Sequence, residues 1–133
     1  TARSLRTRNN DLTLAGKSPD DPDGADDKFT LDEMANALLS NRSLAAEMIK
    51  DELVSRCRKH PSVDAVDLTK ACATLASWNG RNDVEARGAV LFKEFNGQYE
   101  PQELGRKGKL WAVDFDPANP TMTPHTLAPG DLA

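Results

Sequence analysis

The stretch Val66-Asp67-Leu68-Thr69-Lys70-Ala71-Cys72-Ala73-Thr74-Leu75-Ala76-Ser77-Trp78-Asn79-Gly80, continued by Asp83-Val84-Glu85-Ala86-Arg87-Gly88-Ala89-Val90-Leu91-Phe92-Lys93-Glu94-Phe95, decides the fold class. In its first half Leu68, Ala71, Cys72, Leu75 and Ala76 recur at i, i+3, i+4, i+7 and i+8, the spacing of one helix face. Asp67 stands just ahead of them, where its carboxylate can accept from an early helical amide. In the second half Asn82 or Asp83 is expected to open a helix with Val84, Leu91, Phe92 and Phe95 on a common face. Gly88 lies on that same side, so a neighbour can approach closely there, and Gly97 marks the end. Two short helices therefore meet across the turn at Gly80.

The same pattern continues upstream. Leu44, Met48, Ile49, Leu53 and Cys57 run along one side of a helix over Leu44–Lys59, which His60-Pro61 ends because the residue before proline is pushed out of helical space. Thr30-Leu31-Asp32-Glu33 has capping-box chemistry, with the Thr hydroxyl serving the third helical amide and Glu33 reaching back to the amide of the cap. Behind it Leu31, Met34, Ala35, Leu38 and Leu39 share a face. Arg3 to Ala15 carries Leu5, Leu12 and Leu14 among polar residues and reads as a helix stopped by Gly16. Residues 17–28 hold two prolines and a dense run of Asp, and read as an acidic, flexible, exposed loop. Leu110-Trp111-Ala112-Val113-Asp114-Phe115 has the aromatic and β-branched content of one short strand, with an irregular tail over 116–133. The expected architecture is mainly α, a small bundle of about five short helices with one short terminal strand.

Composition narrows the class of function. The 133 residues are one domain's worth, and 38% hydrophobic content is enough for a modest core. A net charge of -4 with scattered Lys and Arg argues against nucleic-acid binding. No apolar run approaches the roughly 20 residues that span a bilayer, so no membrane partner is expected.

Candidate chemistry is sparse. Asp21, Asp23 and Gly24 match positions three, five and six of a calcium loop, but Pro19 and Thr30 occupy positions one and twelve, where ligands are needed. His60 and His125 lack partners at zinc spacing, so no metal and no cofactor are expected. No Gly-x-Ser-x-Gly elbow is present. Trp78 and Trp111, near element ends, read as core or interface anchors ahead of pocket walls. Arg3, Arg6 and Arg8 read, as a bare cluster, as a solvated face. Cys57 and Cys72 are fifteen positions apart, each on the apolar stripe of its own helix. A disulfide between them is geometrically easy, and two buried free thiols fit the residues equally well.

The order Ala-Cys at 71–72, Leu-Ala-x-Trp at 75–78, Arg-Gly-Ala at 87–89 and Leu-Phe-x-x-Phe at 91–95 resembles a segment of the penicillin acylase family, in its aculeacin and acyl-homoserine-lactone acylase branch. Arg3-Ser4-Leu5-Arg6-Thr7-Arg8, Leu110 to Pro117 and Asn119-Pro120 extend the resemblance over most of the chain. It implies an N-terminal-nucleophile amide hydrolase with an αββα core, of which this chain is an internal fragment of the β-subunit. The partners implied are the remainder of the β-subunit, the α-subunit and a small-molecule N-acyl substrate. The setting implied is periplasmic or secreted, which favours a Cys57–Cys72 disulfide. The family's nucleophile, a Ser freed by self-cleavage, is absent, so the fragment is expected to be inactive support. Thr1, although an N-terminal Thr can use its own amine as base, leads straight into a late β-subunit motif. Arg3 best matches an active-site-lining Arg that the family places shortly before a helix. The rival reading is a free-standing helical interaction module without catalysis.

Overall fold

The computed structural model describes residues 3–17, 26 and 28–129. Their elements are helices α1 (Leu5–Leu14), α2 (Leu31–Leu39) and α3 (Leu44–Lys59), strands β1 (Ser62–Val63) and β2 (Val66–Asp67), helices α4 (Thr69–Ser77) and α5 (Arg87–Asn96), and a 3-10 turn at Glu103–Gly105. The chain is thus mainly helical, with one two-stranded antiparallel sheet among the described residues.

Local chemistry sets the ends of the helices. Ser4 accepts from the Thr7 amide and starts α1, and Ser43 does the same for α3 through Ala46. At α2 both halves of the capping box form: Glu33 N donates to Thr30 Oγ1 at 3.2 Å and Thr30 N to Glu33 Oε2 at 2.7 Å. Helix α3 carries Glu47 in its first turn and Arg56, Arg58 and Lys59 in its last, the distribution its dipole favours. Asp67 serves α4 from one position further out than a cap. Leu68 is the boundary residue, and Asp67 Oδ1 accepts from Thr69 N at 2.9 Å. Bonds from the Thr69 hydroxyl and amide hold the Asp67 carboxyl below its ordinary pKa, since they favour the charged form.

The core sits where α3, α4 and α5 meet. Ala45, Ala46, Ile49, Leu53 and Val54 of α3 pack with Leu75, Trp78 and Phe92, and with Leu110, Trp111 and Leu127 from the C-terminal segment. Trp78 and Phe92 rings lie 5.3 Å apart, and its Nε1 donates to the Arg81 carbonyl at 2.7 Å, so both ends of that indole are satisfied. Gly88 makes the α4–α5 approach possible: a Cβ there would stand 2.3 Å from the Trp78 Cβ. Alanine is the better helix former by about 1 kcal/mol, yet forcing the helices apart costs about 1–3 kcal/mol. Because that gap is far below contact distance, overpacking should win. Gly88→Ala is expected to destabilise by about 1–2 kcal/mol in urea melts, with Gly108→Ala, which has open space around it, as the neutral control.

Two expectations are corrected, and one element is new. The strand over Lys109–Phe115 does not form, and only Trp111 makes isolated bridges, to Lys107 and Leu127. Trp111 is held by burial instead, with no solvent exposure. The second helix starts at Arg87, not at Asn82 or Asp83, and Val84 is fully exposed in the preceding turn. Its face consists of Gly88, Leu91, Phe92 and Phe95, buried or half-buried. The hairpin at Ser62–Asp67 was not anticipated. It turns on Asp64 and Ala65, both with positive φ (48° and 66°), the conformation of a two-residue primed turn.

The tail is irregular but not loose. Pro124 and Leu127 are buried, Ala112 N donates to Thr126 O at 3.0 Å, and Ala128 N donates to Leu110 O at 2.8 Å. The acidic loop lies mostly outside the described residues, as does Thr1.

Candidate functional site

The residues with functional potential fall on the α1 segment, the α3–α4 connection and the seam between α3 and the tail. Arg3 lies just ahead of the Ser4 cap and forms an ion pair with Asp11 on the next turns of α1. Its side chain is 44% exposed. Cys57, in the last turn of α3, and Cys72, in α4, are joined as a disulfide across a Cα–Cα distance of 5.7 Å. Neither sulfur is therefore available as a thiolate nucleophile or metal ligand.

Arg8 departs from the solvated face expected for the Arg3-Arg6-Arg8 cluster. It is completely buried. Its Nε donates to the Thr121 carbonyl at 2.8 Å and its Nη1 to the Pro124 carbonyl at 3.1 Å, while Nη2 lies 3.6 Å from the Met48 sulfur. Burial lowers its pKa from the ordinary arginine value, because desolvation penalises the cation. The missed signal is register: Arg8 lies between Leu5 and Leu12 at spacings of three and four, on the face α1 turns to α3.

A second clamp holds the far end of the tail. Arg56 donates to the carbonyls of Ala128 (2.6 Å) and Leu127 (3.1 Å) and pairs with Glu52 one turn back, and Glu52 Oε2 accepts from Leu127 N at 3.1 Å. Two further polar ties join loops. Arg81 donates to Ser40 O at 2.6 Å and Asn82 N to Asn41 O at 2.7 Å, so the α2–α3 turn is fastened to the α4–α5 turn.

Chemically these groups position backbone. Among the described residues no three His, Cys, Asp or Glu side chains converge as a metal site. The calcium-loop residues 19–24 lie outside them, and His60 and His125 join no such cluster. Trp78 and Trp111 are core residues, 6% and 0% exposed. A shallow opening beside the α4–α5 turn is lined by Ser77, Asn79, Asp83, Glu85 and Arg87, without a nucleophile held against a base. No helix among the described residues is long and apolar enough to cross a membrane.

Comparison with known proteins supplies what the geometry alone does not. Residues 1–130 match the model of the family described as Penicillin amidase. The chain belongs to that family. It is 36% identical to aculeacin-A acylase of Actinoplanes utahensis over 93% of its own length and 15% of the relative's. It is 29% identical to an acyl-homoserine lactone acylase of Pseudomonas putida, over 76% of the chain and 12% of the relative, and 28% identical to that of Pseudomonas syringae pv. syringae over the same shares. The chain thus spans about an eighth to a seventh of the curated relatives it matches.

Proposed function

We propose that this chain is one helical segment of the β-subunit of a longer N-acyl amide hydrolase and that it supports catalysis carried out by residues outside it. The family match over residues 1–130 carries this reading, and the site geometry supports it: buried Arg8, half-buried Arg56 and a disulfide fix backbone, and the nucleophile comes from elsewhere in the parent, as an N-terminal Ser. The substrate is a linear amide joining an acyl chain to an amine-bearing head. Lipopeptides, acyl-homoserine lactones and penicillins are the classes to compare. The parent works in the periplasm or outside the cell, the setting in which a disulfide persists.

The test is to purify the product of the full reading frame and follow amine release from N-acyl amides of each class. Hydrolysis that disappears when the N-terminal Ser is replaced, with this chain alone inactive, is the expected result. A full-length protein that cleaves none of these amides would sink the proposal. Arg3 is proposed to line the active site of the parent, where the fixed donors of a guanidinium can orient an oxyanion-binding side chain. Losing one such charge-assisted contact is worth about 1.5–3 kcal/mol, so Arg3→Ala in the parent should lower kcat/KM about ten- to hundredfold. An unchanged kcat/KM would return Arg3 to its pairing with Asp11.

A further inference from the structure

Helix α2 is turned the wrong way round for a helix that belongs to this core. Its apolar stripe, Leu31, Met34, Leu38 and Leu39, is 86%, 40%, 76% and 75% exposed, and the helix contains no buried residue. The positions that lose solvent are Glu33, Ala37 and Ser40, on the opposite side. A nine-residue helix is marginal on its own in water, and its capping box contributes only about 1 kcal/mol. Amphipathic helices of this length draw their stability from burying the apolar face.

We propose that this outward face of α2 is a docking surface for another part of the same parent polypeptide. The inference rests on the proposed reading of the chain as a segment of a longer acylase. The choice of occupant follows from size. Four side chains of about 100 Å² each give a patch of roughly 400 Å², about half of the ~800 Å² per partner of a stable association between separate molecules. A second copy held by this stripe alone would dissociate. A segment of the same polypeptide is already tethered, so a patch of this size suffices. The relatives supply the length: the chain covers 15% and 12% of two of them, leaving most of each polypeptide available to cover it. The occupant is therefore an apolar face of the parent, met by leucine and methionine side chains.

The test uses the full-length parent and single cysteines, since the joined Cys57 and Cys72 do not react with a maleimide. Leu38→Cys on the stripe is compared with Asn36→Cys, an exposed position beside it. In the native parent Leu38→Cys should react at least tenfold more slowly than Asn36→Cys, and in urea the two should react alike. Met34→Cys repeats the comparison if Leu38→Cys does not fold. Equal native rates would overturn the proposal. Protection that is lost on dilution would overturn it too, and would assign the face to a second copy. The readout is independent of catalysis: a protected stripe in a parent that hydrolyses no N-acyl amide keeps the docking surface and removes the functional reading.

Discussion

Arg8→Ala is expected to lower the free energy of unfolding by about 3–5 kcal/mol, a large fraction of the roughly 5–15 kcal/mol that holds a native domain together. Two effects oppose each other at this site. Burying a guanidinium costs solvation free energy, as its lowered pKa records, and truncation removes that cost. Truncation also strands the buried carbonyl of Pro124, at about 1–3 kcal/mol, and the half-buried carbonyl of Thr121, at less because water can reach it. In addition it opens a void beneath α1, beside Met48 and against Pro124, and cavities of side-chain size add about 2 kcal/mol or more. The second group of effects is the larger. Arg8→Lys separates them, because a single ammonium keeps the charge but cannot reproduce a fork that reaches two carbonyls at once. It should lose roughly half as much. Urea denaturation followed by circular dichroism measures both variants, and amide exchange should show residues 116–128 opening first in each. A loss below about 1 kcal/mol for Arg8→Ala would mean that the tail is held by the Arg56–Glu52 clamp and the packing of Leu127 and Trp111, with little help from Arg8.

That buried cation marks the limit of what the sequence discloses. The helices were legible because their ends are written in local chemistry. The Thr30 and Glu33 capping box and the His60-Pro61 stop act within a few residues, and α2 starts and α3 ends where these signals imply. The Gly88 approach was legible for the same reason, as a small residue placed on an apolar face. What escaped depends on distant partners or on uncommon backbone. The register of Arg8 with Leu5 and Leu12 signals its burial, but its partners are carbonyls 113 and 116 residues away, and no local pattern encodes those. The hairpin turns on Asp64-Ala65, where a Gly would have announced the positive φ. Leu110–Phe115 has strand composition but no neighbour to complete a ladder among the described residues, so packing of Trp111 replaces hydrogen bonding. The orientation of α2 was the hardest to foresee, because periodicity shows that a helix has an apolar face and is silent on whether that face turns inward.

Removing the Cys57–Cys72 bond, by the paired substitutions Cys57→Ala and Cys72→Ala, is expected to cost about 3–4 kcal/mol. The bond closes a loop of fifteen positions, for which the chain-entropy model gives about 3 kcal/mol. Alanine keeps most of the volume Cys72 fills at 3% exposure, so the packing loss adds at most about 1 kcal/mol. The location explains why a covalent tie matters there. Between α3 and α4 the chain reverses through strands of two residues each, with positive φ at both turn positions, and so short a hairpin is at best marginally stable by itself. At a urea m-value of about 2 kcal/mol/M, the midpoint should fall by about 1.5–2 M. Direction of action can be tested as well. If the bond acts on the unfolded chain, cutting it expands that state, so the m-value should rise while the near-UV spectrum of the folded protein stays unchanged. A midpoint shift under about 0.3 M would instead show that Leu53, Leu75 and their neighbours hold the α3–α4 pair with no need of the staple.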